Sequence, residues 1–233
     1  RKGRRDLVEI VRRVSELIRV CYVRQKEPLG LGHAVLAARH LVGDEPFAVL
    51  LGDDILTDET PALRQMIRIH EAHRCAVMLV QRVPKSEVSR YGVIKGRKID
   101  DGLYHIMDMV EKPDPDKAPS DLALIGRYIL TPDLFPLLEG TASDRSGEIQ
   151  LTNALKALLK RKKTMIYALE FPGRWHDAGT VLGFLKTTVE LALQRPDLAP
   201  GFQEFLRGLR LDPAPAAERA AETGRPVAKR SGR

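Results

Sequence analysis

The sequence predicts an α/β fold with a mixed, mostly parallel sheet flanked by helices, and three observations carry that prediction. Short apolar runs bounded by Gly, Pro and Asp alternate with segments of helical periodicity. One such run, Phe47-Ala48-Val49-Leu50-Leu51, is too short for a helix and is read as a central strand buried on both faces. It ends in Gly52-Asp53-Asp54, which places carboxylates just past the carboxyl end of a strand, where open α/β sheets bind ligands. Asp53 is the first candidate for a Mg²⁺ ligand, because Mg²⁺ takes hard oxygen donors and needs only one or two protein carboxylates beside substrate phosphates. A plain polar turn closing the strand is the alternative.

The chain of 233 residues is long enough for one large domain, or one domain with tails. No apolar run approaches the roughly 18 residues that span a membrane. The chain starts Arg1-Lys2-Gly3-Arg4-Arg5, without an initiator Met or a secretory pattern. Cys21 and Cys75 lie in apolar runs without metal-binding spacing and are expected to be buried free thiols in a reducing cytoplasm. The net charge is +7, of which residues 1–24 supply +5 and residues 212–233 supply +2. The body between them is balanced, so the charge argues for solvated ends and against a nucleic-acid surface.

Taken in order, Asp6 to Glu16 carries an apolar stripe, Leu7, Ile10, Val11 and Val14, and predicts a helix. Leu17 to Arg24 has strand composition. A loop with Pro28, Gly30 and Gly32 leads into a helix from about Gly32–His33 to Leu41, and glycines there let backbone N–H groups approach a ligand. Thr60-Pro61 opens a helix with Leu63, Met66, Ile67 and His70 on one stripe. Ala76 to Val83 reads as a buried strand. Tyr91 to Ile94, Tyr104 to Val110 and Leu122 to Leu130 follow with only short breaks, so antiparallel pairing enters the sheet here. Glu111-Lys112-Pro113 ends the second of these, offering a hydrogen-bond acceptor beside a cation. Thr131-Pro132-Asp133 starts a short helix, and Ser146-Gly147-Glu148 starts another with Leu151, Leu155 and Leu158 inward. Met165 to Phe171 is a strand, and Asp177 is a second carboxylate between it and the helix Val181 to Gln194. From Asp212 onward Ala, Pro, Arg and Glu dominate without periodicity, so a disordered basic tail over residues 212–233 is expected after a domain at 1–211.

Seven stretches in this order resemble the bacterial UTP:glucose-1-phosphate uridylyltransferases of the sugar nucleotidyltransferase superfamily. They are VRQKEPLGLGHAV at 23–35, LLGDDIL at 50–56, RYGVI at 90–94, VEKP at 110–113, LALIGRYIL at 122–130, GEIQLT at 147–152 and WHDAGT at 175–180. The resemblance covers about residues 5–210 and implies a Rossmann-like, nucleotide-diphospho-sugar transferase fold. It also implies Mg²⁺ as cofactor, UTP and glucose 1-phosphate as substrates, a cytoplasmic setting, and a homo-oligomer without nucleic-acid or membrane partners. By position it assigns Gln25 and the backbone of Gly30 to uracil recognition, Asp53 and Asp177 to Mg²⁺, and Gly92, Glu111 and Gly126 to the sugar. Lys112 matches the lysine beside the sugar phosphate, His33 a structural position, and Trp175 a packing support for Asp177.

The family's triphosphate loop, GxGTRxxPxTK, has no match here. The sequence is therefore expected to lack an N-terminal part with one or two strands, and alone to be weakly active or inactive. Two other functions fit the same residues: another sugar-1-phosphate nucleotidyltransferase, such as a thymidylyltransferase, and a non-catalytic sugar-nucleotide-binding regulator.

Overall fold

The computed structural model of the protein describes residues 5–161 and 164–209. The chain divides into two units, Arg1–Gly179 and Thr180–Arg233. The first begins with α1 (Arg5–Leu17), α2 (Gly30–Ala37) and α3 (Arg39–Val42), followed by β1 (Phe47–Leu50) and β2 (Asp54–Thr57). Next come α4 (Ala62–His73), β3 (Ala76–Arg82), β4 (Gly92–Asp100), β5 (Leu103–Glu111) and β6 (Leu122–Leu130). It closes with α5 (Phe135–Glu139), α6 (Leu151–Leu159), β7 (Ile166–Glu170) and β8 (Arg174–Asp177). The second unit holds α7 (Val181–Gln194) and α8 (Ala199–Gly208), which pack on each other. The tail expected at 212–233 lies outside the described residues.

Six strands form one sheet in the order β1-β6-β3-β7-β5-β4. The α/β class and the helical flanks are as the sequence predicts, but the pairing is mostly antiparallel: β3 and β7 are the one parallel pair among the described strands. The reason lies in β6. It runs between β1 and β3 and against both, as β5 does between β7 and β4, so β1 never meets β3 nor β7 β4, although each of these pairs points the same way. Chain direction was therefore legible from the alternation of strand and helix, while neighbourhood was not.

The buried strand at the centre is β3. Ala76 to Val80 are all buried, and alternation sends them to opposite faces. Val77 and Leu79 pack with Met66 of α4 and with Ile125 and Ile129. Met78 and Val80 pack with Ile94, Ile106 and the inward face of α6. By contrast β1, expected to be buried on both faces, is an edge strand among the described residues; its residues alternate between half-buried and exposed, and Leu50 is exposed. The expected strand at Leu17 to Arg24 does not form. Ile18, Val20 and Tyr22 are exposed, as is Cys21, because β composition stabilises a strand only against a neighbour to pair with. Cys75, in contrast, is buried, and burial pushes its thiol up to about 11.

β2 and β8 make a second, two-stranded antiparallel sheet, in register from Asp54 opposite Asp177 to Thr57 opposite Arg174. No described helix is long and apolar enough to cross a membrane.

Candidate active site

The small sheet rests on the large one through Leu56 and Trp175, and polar contacts fix how it sits. Arg127 of β6 donates to the carbonyls of Leu51, at 2.9 Å, and Asp54, at 2.7 Å, gripping the turn between β1 and β2. Asp54 answers from the other side: its Oδ2 accepts the N–H of Gly126 at 2.9 Å and its Oδ1 accepts the indole N–H of Trp175. Gly126 must be glycine for this, since a Cβ there would lie 2.1 Å from Asp54 Oδ2 and 2.6 Å from the Leu51 side chain. Burial, with the charges of Asp53 and Asp177 adding to it, holds the Asp54 carboxyl above the usual carboxylate range.

Asp53 and Asp177 are thereby brought to one point. The Asp53 carbonyl accepts the N–H of Ala178 at 2.8 Å, which binds the β1–β2 turn to the residue after β8. At Gly179 a Cβ would sit 2.8 Å from Asp53 Oδ2 and 3.2 Å from Asp177 Oδ1, so both carboxylates border the space this glycine leaves open. Asp177 Oδ1 accepts the Gly179 N–H at 2.9 Å, and Oδ2 accepts from Arg90 at 2.6 Å and the Tyr91 hydroxyl at 2.8 Å. Two hard oxygen donors converging beside an open cleft fit a small divalent cation that completes its shell with ligand oxygens. Among the described residues no group of three or more His, Cys, Asp and Glu side chains is arranged to hold a metal. Asp54 serves the fold instead, one oxygen on the Gly126 N–H and the other on the Trp175 indole.

These residues open onto a cleft of about 200 Å³. Its other end is built by β4, β5 and α6. Gly92 stands opposite Glu111 in the β4–β5 register, and a Cβ on it would come within 3.1 Å of both Glu111 Oε2 and the Thr152 hydroxyl oxygen. That hydroxyl donates to Glu111 Oε2 at 2.7 Å. Glu111 is thus held at one oxygen, with its Oε1 3.8 Å from Lys112 Nζ. Tyr128 lines the same wall, its hydroxyl held protonated by burial and then by the charges of Glu111 and Asp54.

Of the residues singled out from sequence, the structure gathers Asp53, Gly92, Glu111, Gly126 and Asp177 around this cleft. Gln25, Gly30 and Lys112 are not among its lining residues. The Gln25 amide reaches the Gly30 carbonyl at 3.3 Å and His33 Nδ1 at 2.9 Å, closing the loop at the start of α2. Gly30, at φ 87°, and Gly32 admit the 148–149 backbone: the Gly32 N–H donates to the Ile149 carbonyl at 2.9 Å, so that amide is spent on the fold. Lys112 occupies the left-handed region at φ 45° and its N–H donates to the Tyr91 carbonyl at 3.0 Å, while its side chain is exposed.

Sequence reasoning passes over Arg90, Tyr91 and Thr152, although the stretches RYGVI and GEIQLT contain them. Trp175 does support Asp177, through Tyr91: the two rings meet edge to face with centroids 5.3 Å apart. Its bond to Asp54 is the part that packing arguments miss.

Comparison with known proteins agrees with this architecture. The profile of the nucleotidyl transferase family matches residues 3–194. A UTP-glucose-1-phosphate uridylyltransferase of Staphylococcus epidermidis is 44% identical over 208 residues, covering 89% of this chain and 72% of the relative. One of Bacillus subtilis is 45% identical over 208 residues, covering 89% and 70%. Among solved structures, a UDP-glucose pyrophosphorylase complexed with UDP-glucose superposes with a TM-score of 0.77 at 42% identity, over 82% of this chain and 72% of that one.

Proposed function

From the premise that this chain belongs to the nucleotidyl transferase family, we propose that it transfers a uridylyl group from UTP to glucose 1-phosphate, giving UDP-glucose and pyrophosphate. The observation that carries the proposal is one cleft holding a carboxylate pair at one end and a positioned single carboxylate at the other. The first suits a phosphate-bound cation, and the second a polyol.

The reaction is a single in-line displacement. A phosphate oxygen of glucose 1-phosphate forms a bond to the α-phosphorus of UTP as the bond to the pyrophosphate oxygen breaks, and no covalent enzyme intermediate is needed. Both reactants are anions, so the protein's work is to position them and offset their charge. Mg²⁺ at Asp53 and Asp177 supplies charge neutralisation at the phosphates when bound. Glu111, fixed by Thr152, accepts hydrogen bonds from glucose hydroxyls, and Gly92 serves the sugar by leaving room for that Glu111–Thr152 pair. Gly126 serves the sugar indirectly, since its N–H and carbonyl are engaged by Asp54, Leu51 and Arg127. Lys112 reaches the sugar phosphate from the rim, and Gln25 with the Gly30 backbone receives the uracil.

Two free cysteines support a cytoplasmic setting for this enzyme. A homo-oligomer belongs to the same reading and is supported by the exposed apolar side chains Leu7, Val8 and Ile10 of α1.

The test is pyrophosphate release by the protein carrying this sequence, with Mg²⁺, glucose 1-phosphate and either UTP or dTTP. UTP is expected to be the better substrate. Preference for dTTP would make it a thymidylyltransferase, and binding of UDP-glucose without turnover of either would make it a binding protein.

A further inference from the structure

The cleft is lined by four carboxylates, Asp53, Asp54, Glu111 and Asp177, and among the described lining residues Arg90 is the cationic side chain. A nucleotide entering it brings more negative charge, yet Arg90 is turned to the protein. It ends a 3-10 turn, Lys85–Arg90, and its guanidinium donates to Asp177 Oδ2 at 2.6 Å and to Glu87 at 3.3 Å, lying over the Tyr91 ring 5.1 Å from its centroid.

The Tyr91 hydroxyl donates to the same Oδ2, so Asp177 keeps its orientation if Arg90 departs. The ion pair is partly exposed, with Arg90 at 42% and Asp177 at 23%, and pairs of this kind contribute little, so leaving it costs little. A divalent cation on Asp53 and Asp177 would also set two positive groups on one carboxylate, and their repulsion favours the arginine moving to an anion.

Resting on the uridylyl-transfer reading, we infer that Arg90 is a phosphate-binding residue held in reserve on Asp177. It exchanges that carboxylate for a phosphate of the nucleotide once the carboxylate pair holds its metal. No bond other than hydrogen bonds and ion pairs changes in this exchange.

Mn²⁺ and UDP-glucose are the probes, applied to wild type, Arg90→Met and Arg90→Lys after thermal unfolding shows that each is folded. Free Mn²⁺ is read by electron paramagnetic resonance without nucleotide, and UDP-glucose binding by calorimetry at saturating Mg²⁺. Arg90→Met is expected to bind Mn²⁺ about fivefold more tightly, because Asp177 loses its competing cation, and UDP-glucose about tenfold more weakly. Arg90→Lys is expected to fall between wild type and Arg90→Met in both, since it keeps the charge but loses the planar fork and the contact with the Tyr91 ring. Opposite signs mark an exchange, whereas damage to the fold weakens both ligands. Unchanged or weaker Mn²⁺ binding by Arg90→Met, or unchanged UDP-glucose binding, overturns the inference while leaving the function standing; Arg90→Gln replaces Arg90→Met if the latter does not fold. A wild type that binds Mn²⁺ but not UDP-glucose overturns the function itself, and this exchange with it.

Discussion

The two sheets of the first unit are held by the same forces in different proportions. In the six-stranded sheet β3 is buried along most of its length between two apolar clusters, and its register is set by which side chains must leave water. In the two-stranded sheet every residue of β2 is only half-buried; Leu56 and Trp175 rest on the apolar cluster around Met66 and Phe171, and the exact position is set by Asp54, Arg127, Gly126 and Trp175 acting as donors and acceptors. Hydrophobic burial is strong and non-directional, whereas hydrogen bonds are weaker and fix angles. The molecule uses the first for stability and the second to aim Asp53 and Asp177.

Substitutions that separate these two roles test the contrast. Leu79→Ala in β3 should lower unfolding free energy by about 2–5 kcal/mol in denaturant titration, because the fully buried side chain leaves a cavity. Asp54→Asn should cost about 1–3 kcal/mol, since an amide presents one oxygen to two donors and leaves Gly126 or Trp175 unpaired. Trp175 is the single tryptophan in the chain, so its emission should shift in this variant, and turnover should fall further than the lost stability implies. Glu111→Gln should raise the KM for glucose 1-phosphate about tenfold and leave that for UTP unchanged, an amide being a weaker acceptor than a carboxylate. A change in the UTP response alone would move the sugar pocket elsewhere.

The smallest effect concerns pH. Asp108 of β5 is held below the usual carboxylate range first by its hydrogen bond from Lys156, which approaches to 2.9 Å. A depressed carboxylate contributes stability above its unfolded value of 3.8 and loses it as pH falls through the folded one. Wild type should therefore exceed Asp108→Asn by about a few tenths of a kcal/mol near neutrality, the pair being partly exposed, and by nothing in strong acid. Thermal unfolding across that range checks it.

The same contrast explains what could be read from sequence. Apolar runs such as Ala76 to Val83 announce buried strands, and the carboxylates after Phe47–Leu51 and before Val181 announce a ligand site. What a run does not carry is its neighbour. The insertion of β6 beside β1 depends on contacts some 80 residues apart, as between Phe47 and Leu130. Polar contacts are less legible still: Arg90, Tyr91 and Thr152 are ordinary surface types until the fold brings them within 2.6 to 2.8 Å of Asp177 or Glu111. The glycines show both sides, since Gly92, Gly126 and Gly179 mark places of close approach, yet only the structure says what approaches.

The carboxylate pair is the centre of the site, and pyrophosphate release from UTP and glucose 1-phosphate at millimolar Mg²⁺ tests its role most directly. Asp53→Asn and Asp177→Asn, made singly in the protein carrying this sequence, should each lower the rate at least about a hundredfold. The thermal midpoint should stay near that of wild type for Asp53→Asn and fall by a few degrees for Asp177→Asn, whose amide leaves one of its donors unpaired. Retention of more than about a tenth of the wild-type rate by both variants would contradict the assignment.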